Sequence, residues 1–162
     1  MKIAFVMGSD SDLPVVEKGI EVVKSFDIET EVRIISAHRT PAMAEQFARE
    51  AEKNGIGVIV AAAGKAAHLG GVLAAYTTLP VIALPIKSST LDGLDSLLSM
   101  VQMPPGIPVA TVAIDGAVNA GLLALQILGV SDADVKAKLK AYKAQMEAKV
   151  LAKDEEVRAR FA

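Results

Sequence analysis

Short apolar runs alternate with longer stretches of helical spacing along most of this chain. Lys2 to Met7 is a mostly apolar run ended by Gly8, and the stretch Pro14 to Phe26 then places Val15, Val16, Gly19, Ile20, Val22, Val23 and Phe26 at helical spacing. Strand, loop and helix follow in order. Thr30 to Ile35 has the β-branched content of a second strand, and Thr40-Pro41 is a helix-start signature, with Thr40 expected as N-cap and Pro41 at the first helical position. That helix is expected to run to about Lys53, where Asn54-Gly55 closes it. Val58 to Ala63, Val81 to Ile86 and Val109 to Ala113 are further apolar runs, each too short for a helix and bounded by glycine or proline.

Strands alternating with helices in this way predict a parallel sheet covered on both faces, because right-handed crossovers place helices there and bury the strands. The expected fold is therefore α/β: a three-layer αβα, flavodoxin-like, doubly wound parallel sheet of five strands. From Ser131 the pattern changes to a charged, alanine-rich helix expected to extend toward Arg160. Residues 1–162 read as one catalytic domain, with a core over 1–130 and a terminal helix over 131–162 of the kind that packs on a neighbouring subunit.

Composition narrows the function classes. With 17 Lys+Arg against 19 Asp+Glu the formal charge is -2, which gives no electrostatic footprint for a nucleic-acid backbone. There is no cysteine, hence no disulfide framework, thiolate nucleophile or zinc knuckle, which suits a reducing cytosol. Met1 to Met7 is too short an apolar run for a secretory signal, and the apolar stretch from Ile56 to Ile86 is broken by Lys65, His68, glycines and Pro80, so no membrane span is expected. Aromatics are scarce, while alanine and glycine crowd the middle of the chain and require close packing.

In an open parallel sheet, ligands bind beyond the carboxyl ends of the strands where strand order reverses. The loops after the first three strands are therefore the candidates, and both histidines lie in them. In Gly8-Ser9-Asp10-Ser11-Asp12, Gly8 permits close backbone approach, the serines offer hydroxyls, and the amides opening the Pro14 helix point to the same spot. Such a loop holds a phosphate or a ribose; equally, Ser11 or Asp12 simply caps the helix. In Ser36-Ala37-His38-Arg39-Thr40, a histidine is the side chain type suited to proton transfer near neutrality and Arg39 offers a bidentate anion clamp, a pairing suited to acid–base work on an anionic substrate. As a bare pair they also suit an exposed turn. In Gly64-Lys65-Ala66-Ala67-His68-Leu69-Gly70-Gly71, small residues let backbone amides approach a ring or carboxylate, while His68 caps or orients the next helix and Lys65 by itself reads as a solvated charge. Pro85 to Asp92 and Met103 to Pro108 form two further loops, Met103 and its prolines being either a pocket wall or rigid connectors. No metal-ligand spacing, Walker loop, G-x-G-x-x-G fingerprint or G-x-S-x-G elbow is present.

Together, Val6-Met7-Gly8-Ser9-Asp10-Ser11-Asp12, Ser36 to Thr40, Ala63-Gly64-Lys65-Ala66-Ala67-His68-Leu69 and Val101-Gln102-Met103-Pro104-Pro105-Gly106-Ile107-Pro108 resemble the N5-carboxyaminoimidazole ribonucleotide mutase family of bacterial purine biosynthesis. The resemblance runs from Ile3 to about Leu128, and the last helix is similar in length and character. It implies a cofactor-free isomerase, without a metal, that moves a carboxylate from the exocyclic nitrogen of an aminoimidazole ribonucleotide to ring carbon C4. His38 would be the catalytic proton carrier and Arg39 the phosphate ligand. Gly8, Ser9, Ser11 and Asp12 would bind the nucleotide, with Ser36, Ala37, Ala63, Gly64, Lys65, His68 and Leu69 around the imidazole and its carboxylate. It also implies a cytoplasmic homo-octamer with sites at subunit junctions. The chain departs from the family pattern at Lys65, usually glycine, and at Gly70, commonly proline. A sister branch that adds free carbon dioxide typically carries lysine after the motif histidine, so Arg39 and Ala66 to Leu69 favour the mutase branch. A non-catalytic flavodoxin-like nucleotide-binding module is the competing class, disfavoured for a flavin by four Phe, two Tyr and no Trp.

Overall fold

The computed structural model describes every residue from Met1 to Ala162. Its strands are β1 (Lys2–Met7), β2 (Thr30–Ile34), β3 (Ile56–Ala63), β4 (Val81–Pro85) and β5 (Ala110–Thr111). Its helices are α1 (Leu13–Lys24), α2 (Pro41–Glu50), α3 (Leu69–Ala75), α4 (Leu94–Val101), α5 (Ala117–Leu128) and α6 (Ala133–Arg160). All five strands are parallel, in the order β2-β1-β3-β4-β5, so strand order reverses between β1 and β3. The alternation of apolar runs and helical stretches thus produces the expected doubly wound sheet.

The pleat of β1 divides the core. Ile3, Phe5 and Met7 point to the layer built from α1 and α5, whereas Ala4 and Val6 point to the layer holding Ala44, Phe47 and Ala48 of α2 and Leu69 and Leu73 of α3. Burial on both faces explains why the central strands read as continuous apolar runs rather than alternating ones. α1 turns Val16, Gly19, Ile20 and Val23 inward at i, i+3, i+4 and i+7. Two glycines let α1 and α5 meet backbone to backbone: a Cβ on Gly19 would stand 2.6 Å from the Ala117 carbonyl oxygen, and one on Gly121 would stand 2.8 Å from that of Gly19. Gly19→Ala must push these helices apart, and a loss of about 1–3 kcal/mol in denaturant unfolding is expected despite alanine's better helix propensity. An unchanged unfolding midpoint would show that the helices are free to slide.

The sequence reading differs from the structure at α2, which ends at Glu50 rather than near Lys53, at β5, and in the role of Thr40. β5 is formally two residues rather than the run Val109 to Ala113, because Pro108 precedes it and Asp115 turns the chain at φ 56. The strand nonetheless stays beside β4, since the amides of Val112 and Asp115 donate to the carbonyls of Ala83 and Pro85. Thr40 occupies the N-cap position of α2 but does not cap it with its side chain. Its hydroxyl instead accepts from the Ser36 amide and donates to the Ser36 carbonyl, both at 3.0 Å.

The terminal helix is held at its beginning only. The Asp132 carboxylate accepts from the amides of Asp134 and Val135, a side-chain cap, and Lys138 reaches the Phe26 carbonyl at 2.9 Å and the Asp27 carboxylate at 2.7 Å. That hydrogen bond and the lysine's charge hold the Asp27 carboxyl below its ordinary range. Beyond Tyr142, which packs on Phe26, the helix is exposed, including Val150, Leu151 and Val157. No helix of the chain is long and apolar enough to cross a membrane.

Candidate active site

The carboxyl ends of β1 to β4 open on a cleft of about 690 Å³ at the reversal of strand order. Gly8, Ser9, Ser11, Asp12, Ser36, Ala37, His38, Arg39, Ala63, Gly64, Lys65 and Leu69 all line it. His68 joins through His38: His38 Nε2 and His68 Nδ1 are 2.8 Å apart, with the rings edge to face. That contact requires one N–H and one lone pair, so the pair holds a proton between its rings while each histidine keeps its other nitrogen free. His68 sits at the N-cap position of α3 without capping it by its side chain, so of the roles open to it the structure shows a partnership with His38.

The second loop is built as a clamp. The Ser36 hydroxyl accepts from the Arg39 amide at 3.1 Å and from Arg39 Nε at 3.4 Å, while Thr40 closes the turn on the Ser36 backbone. This arrangement fixes the base of the guanidinium and leaves its two terminal nitrogens for an anion.

In the first loop, a 3₁₀ turn over Asp10–Asp12 stands between Gly8 and α1. Ser9 opens the turn as its N-cap, accepting from the Ser11 amide through its side chain and from the Asp12 amide through its carbonyl. The amides expected to face a phosphate are therefore partly spent on the turn. The Ser9 and Ser11 hydroxyls lie beside that turn, 2.9 Å apart. Asp12 does not cap α1 with its side chain, and it is one of two buried polar or charged residues. Desolvation raises its carboxyl above the ordinary range; hydrogen bonds from the Ser9 backbone and Ser11 hydroxyl oppose this, and the charge of Asp10 adds to it.

A carboxyl whose pKa is raised by folding contributes full stability below its unfolded pKa and loses it as pH rises through the folded value. At neutral pH the ionised Asp12 therefore costs stability. Asp12→Asn is expected to raise Tm by about 1–3 °C at pH 7, with the gap closing toward pH 3. A scan showing a lower Tm at pH 7 would contradict this reading of its burial.

Neither Gly8 nor Gly64 is forced by protein packing. A Cβ on Gly8 would meet its nearest atom at 3.8 Å, and one on Gly64 at 3.6 Å, both ordinary contacts. What a side chain at either position would occupy is the cleft, which is how a surface shaped for a ligand differs from one shaped for its own core. In the third loop the Ala67 and His68 amides donate to the carbonyls of Lys65 and Ala66, at 2.8 and 2.9 Å. Those two amides are thus engaged within the loop, while Gly64, Lys65, Ala66 and Leu69 of the same segment line the cleft.

The loop after β4 supplies a wall that sequence reasoning did not assign: Ile86, Lys87, Ser88 and Ser89. Its only advance signal was position, at the same sheet edge as the other three. Met103 does not reach this cleft. It packs on α3, its Sδ and Cε 3.2 Å from where a Gly71 Cβ would stand, and Gly106, Ile107 and Pro108 line a larger cleft of about 920 Å³ at the opposite end of β4 and β5. That second cleft contains no histidine, and its Arg49 is engaged by Glu45 at 2.9 Å and by the Tyr76 ring.

The AIR carboxylase family model matches residues 2–149. The chain belongs to the AIR carboxylase family. Within it, the chain is 59% identical over 146 residues to the N5-carboxyaminoimidazole ribonucleotide mutase of Pyrococcus abyssi, covering 90% of this chain and 84% of that one. It is 51% identical over 149 residues to the chloroplastic phosphoribosylaminoimidazole carboxylase of Vigna aconitifolia, covering 92% of this chain but 27% of the plant protein. The crystal structure of Treponema denticola PurE superposes with a TM-score of 0.88 at 30% identity, covering 95% of this chain and 96% of that one. The AIR carboxylase family fold is thus the one built here from the sheet order and the two apolar layers.

Proposed function

We propose that the chain is an N5-carboxyaminoimidazole ribonucleotide mutase, an isomerase of purine biosynthesis that moves a carboxylate from the exocyclic nitrogen of its substrate to ring carbon C4. The observation that carries this reading is the His38–His68 pair beside an anion clamp, in a cleft whose remaining walls are largely small side chains and backbone. The names and extents of the Pyrococcus abyssi and other relatives support it.

The reaction asks little else of the protein. Cleavage of the nitrogen–carboxylate bond releases carbon dioxide and leaves an electron pair on nitrogen, which takes up a proton. C4 then attacks carbon dioxide with ring electrons and must lose its own proton to restore aromaticity. One proton is delivered and one removed, so a single imidazole at His38 serves both steps. Between them carbon dioxide must stay near C4, which Ala63, Gly64, Ala66 and Ile86 favour by offering it no nucleophile and little room. Arg39 holds the phosphate, Asp12 accepts from ribose hydroxyls, and no metal or cofactor takes part.

The catalytic core is residues 1–130, and residues 131–162 serve assembly. A homo-octamer is the expected state, supported by the unpartnered length of α6 and by Leu94, Leu98 and Val101, exposed along one side of α4. A cytoplasmic location is the expected one, in keeping with a charged ribonucleotide substrate and a chain without cysteine. A second reading, direct carboxylation of aminoimidazole ribonucleotide, is favoured by the likeness to the Vigna aconitifolia carboxylase. Comparing N5-carboxyaminoimidazole ribonucleotide alone with aminoimidazole ribonucleotide plus bicarbonate separates the two.

A further inference from the structure

We infer that Lys65 is a specificity-determining residue that reads the carboxylate on the ligand's imidazole, an inference that rests on the mutase reading. Lys65 stands at φ 56, the left-handed region that glycine enters freely and a lysine does not, and it lines the cleft directly after Gly64. Strain held at the lip of a cleft points to a role for the side chain there.

The charges around it narrow that role. Three cations line the cleft: Arg39, Lys65 and Lys87. Lys87 is paired with Asp92 at 3.2 Å, and Arg39 Nε is tied to Ser36. Lys65 has no carboxylate within ion-pair distance. Arg39 follows β2 and Lys65 follows β3, with β1 between them, so their loops leave the sheet two strand spacings apart, roughly 10 Å. A ligand with anions at both ends meets a cation at each. At the β3 end the Ala67 and His68 amides are already engaged within the loop, which leaves fewer backbone donors for a carboxylate there and gives a side-chain cation more of the work. The Lys65 ammonium is the cation in place to do it.

The test is calorimetric titration of the full chain with two nucleotides that differ only in the carboxylate: aminoimidazole ribonucleotide and its 4-carboxy derivative. Lys65→Met is expected to weaken binding of the carboxylated nucleotide about tenfold and to leave the other within about twofold, while Lys65→Arg keeps the discrimination. Lys65→Gly should lose the same discrimination while raising Tm, since it relieves the left-handed backbone. Equal weakening of both nucleotides would assign Lys65 to the phosphate, and no change in either would make it a solvated charge; both results overturn the inference. Failure of the unsubstituted chain to bind either nucleotide would instead overturn the mutase reading on which it rests.

Discussion

His38→Asn is expected to bind the nucleotide within a few-fold of the unsubstituted protein and to lose about 10³-fold or more in kcat. The magnitude follows from what the proposed mechanism asks of the residue, because proton transfer by a positioned side chain contributes about 10²–10⁴-fold and in that mechanism one imidazole serves two transfers. Asparagine keeps a polar group near His68 but cannot carry a proton between nitrogen and C4. The histidine lies exposed on a short loop, so its loss leaves the buried core intact and the variant folds. Equilibrium binding measured beside single-turnover rates checks the expectation. Near-normal turnover in this variant would remove His38 from the chemistry.

Arg39→Ala is expected to act on the other side of that division, raising KM by about 30-fold or more with a smaller change in kcat. The guanidinium is the one clamp in the cleft whose free nitrogens are fixed by a turn, through Ser36 and Thr40. Charge-assisted bidentate bonds to a phosphate are the strong ones, and a loss of about 2 kcal/mol corresponds to roughly that factor. Arg39→Lys should recover only part of it, since an ammonium brings the charge without the fork. A KM unchanged in the alanine variant would place the phosphate elsewhere.

These two substitutions concern residues that sequence order alone places at one sheet edge. Gly8 to Asp12, Ser36 to Thr40 and Gly64 to Leu69 each follow an apolar run, and parallel topology brings the ends of such runs together. Topology does not fix which atoms touch. The contact between His38 and His68 depends on a one-turn loop and on the start of α3, and no spacing of 30 residues encodes it. The burial of Asp12 was hidden for a related reason: it follows from how the loop folds back beside the sheet, and only the folded chain withdraws it from water.

Other features were masked by local chemistry. Thr40-Pro41 reads as a capped helix start, yet the threonine hydroxyl finds closer partners on the Ser36 backbone and tightens the loop instead. Lys87 to Ser89 carry no titratable group with a pKa near neutrality, so nothing in their composition marks them as part of a site. The proline-rich segment around Met103 drew attention through composition, and the fold sends it to α3 and to the far end of the sheet.

Lys65 shows the limit from the other direction. In sequence it is one of 17 basic residues, and a solvated role is the ordinary expectation. Its backbone conformation and its lack of an acidic partner become visible only in the structure.

The central claim, intramolecular transfer of the carboxylate, is tested most directly by giving the purified protein N5-carboxyaminoimidazole ribonucleotide in buffer freed of bicarbonate. Formation of 4-carboxy-5-aminoimidazole ribonucleotide under these conditions is the expected result. Product formed only when aminoimidazole ribonucleotide and bicarbonate are supplied instead would contradict it.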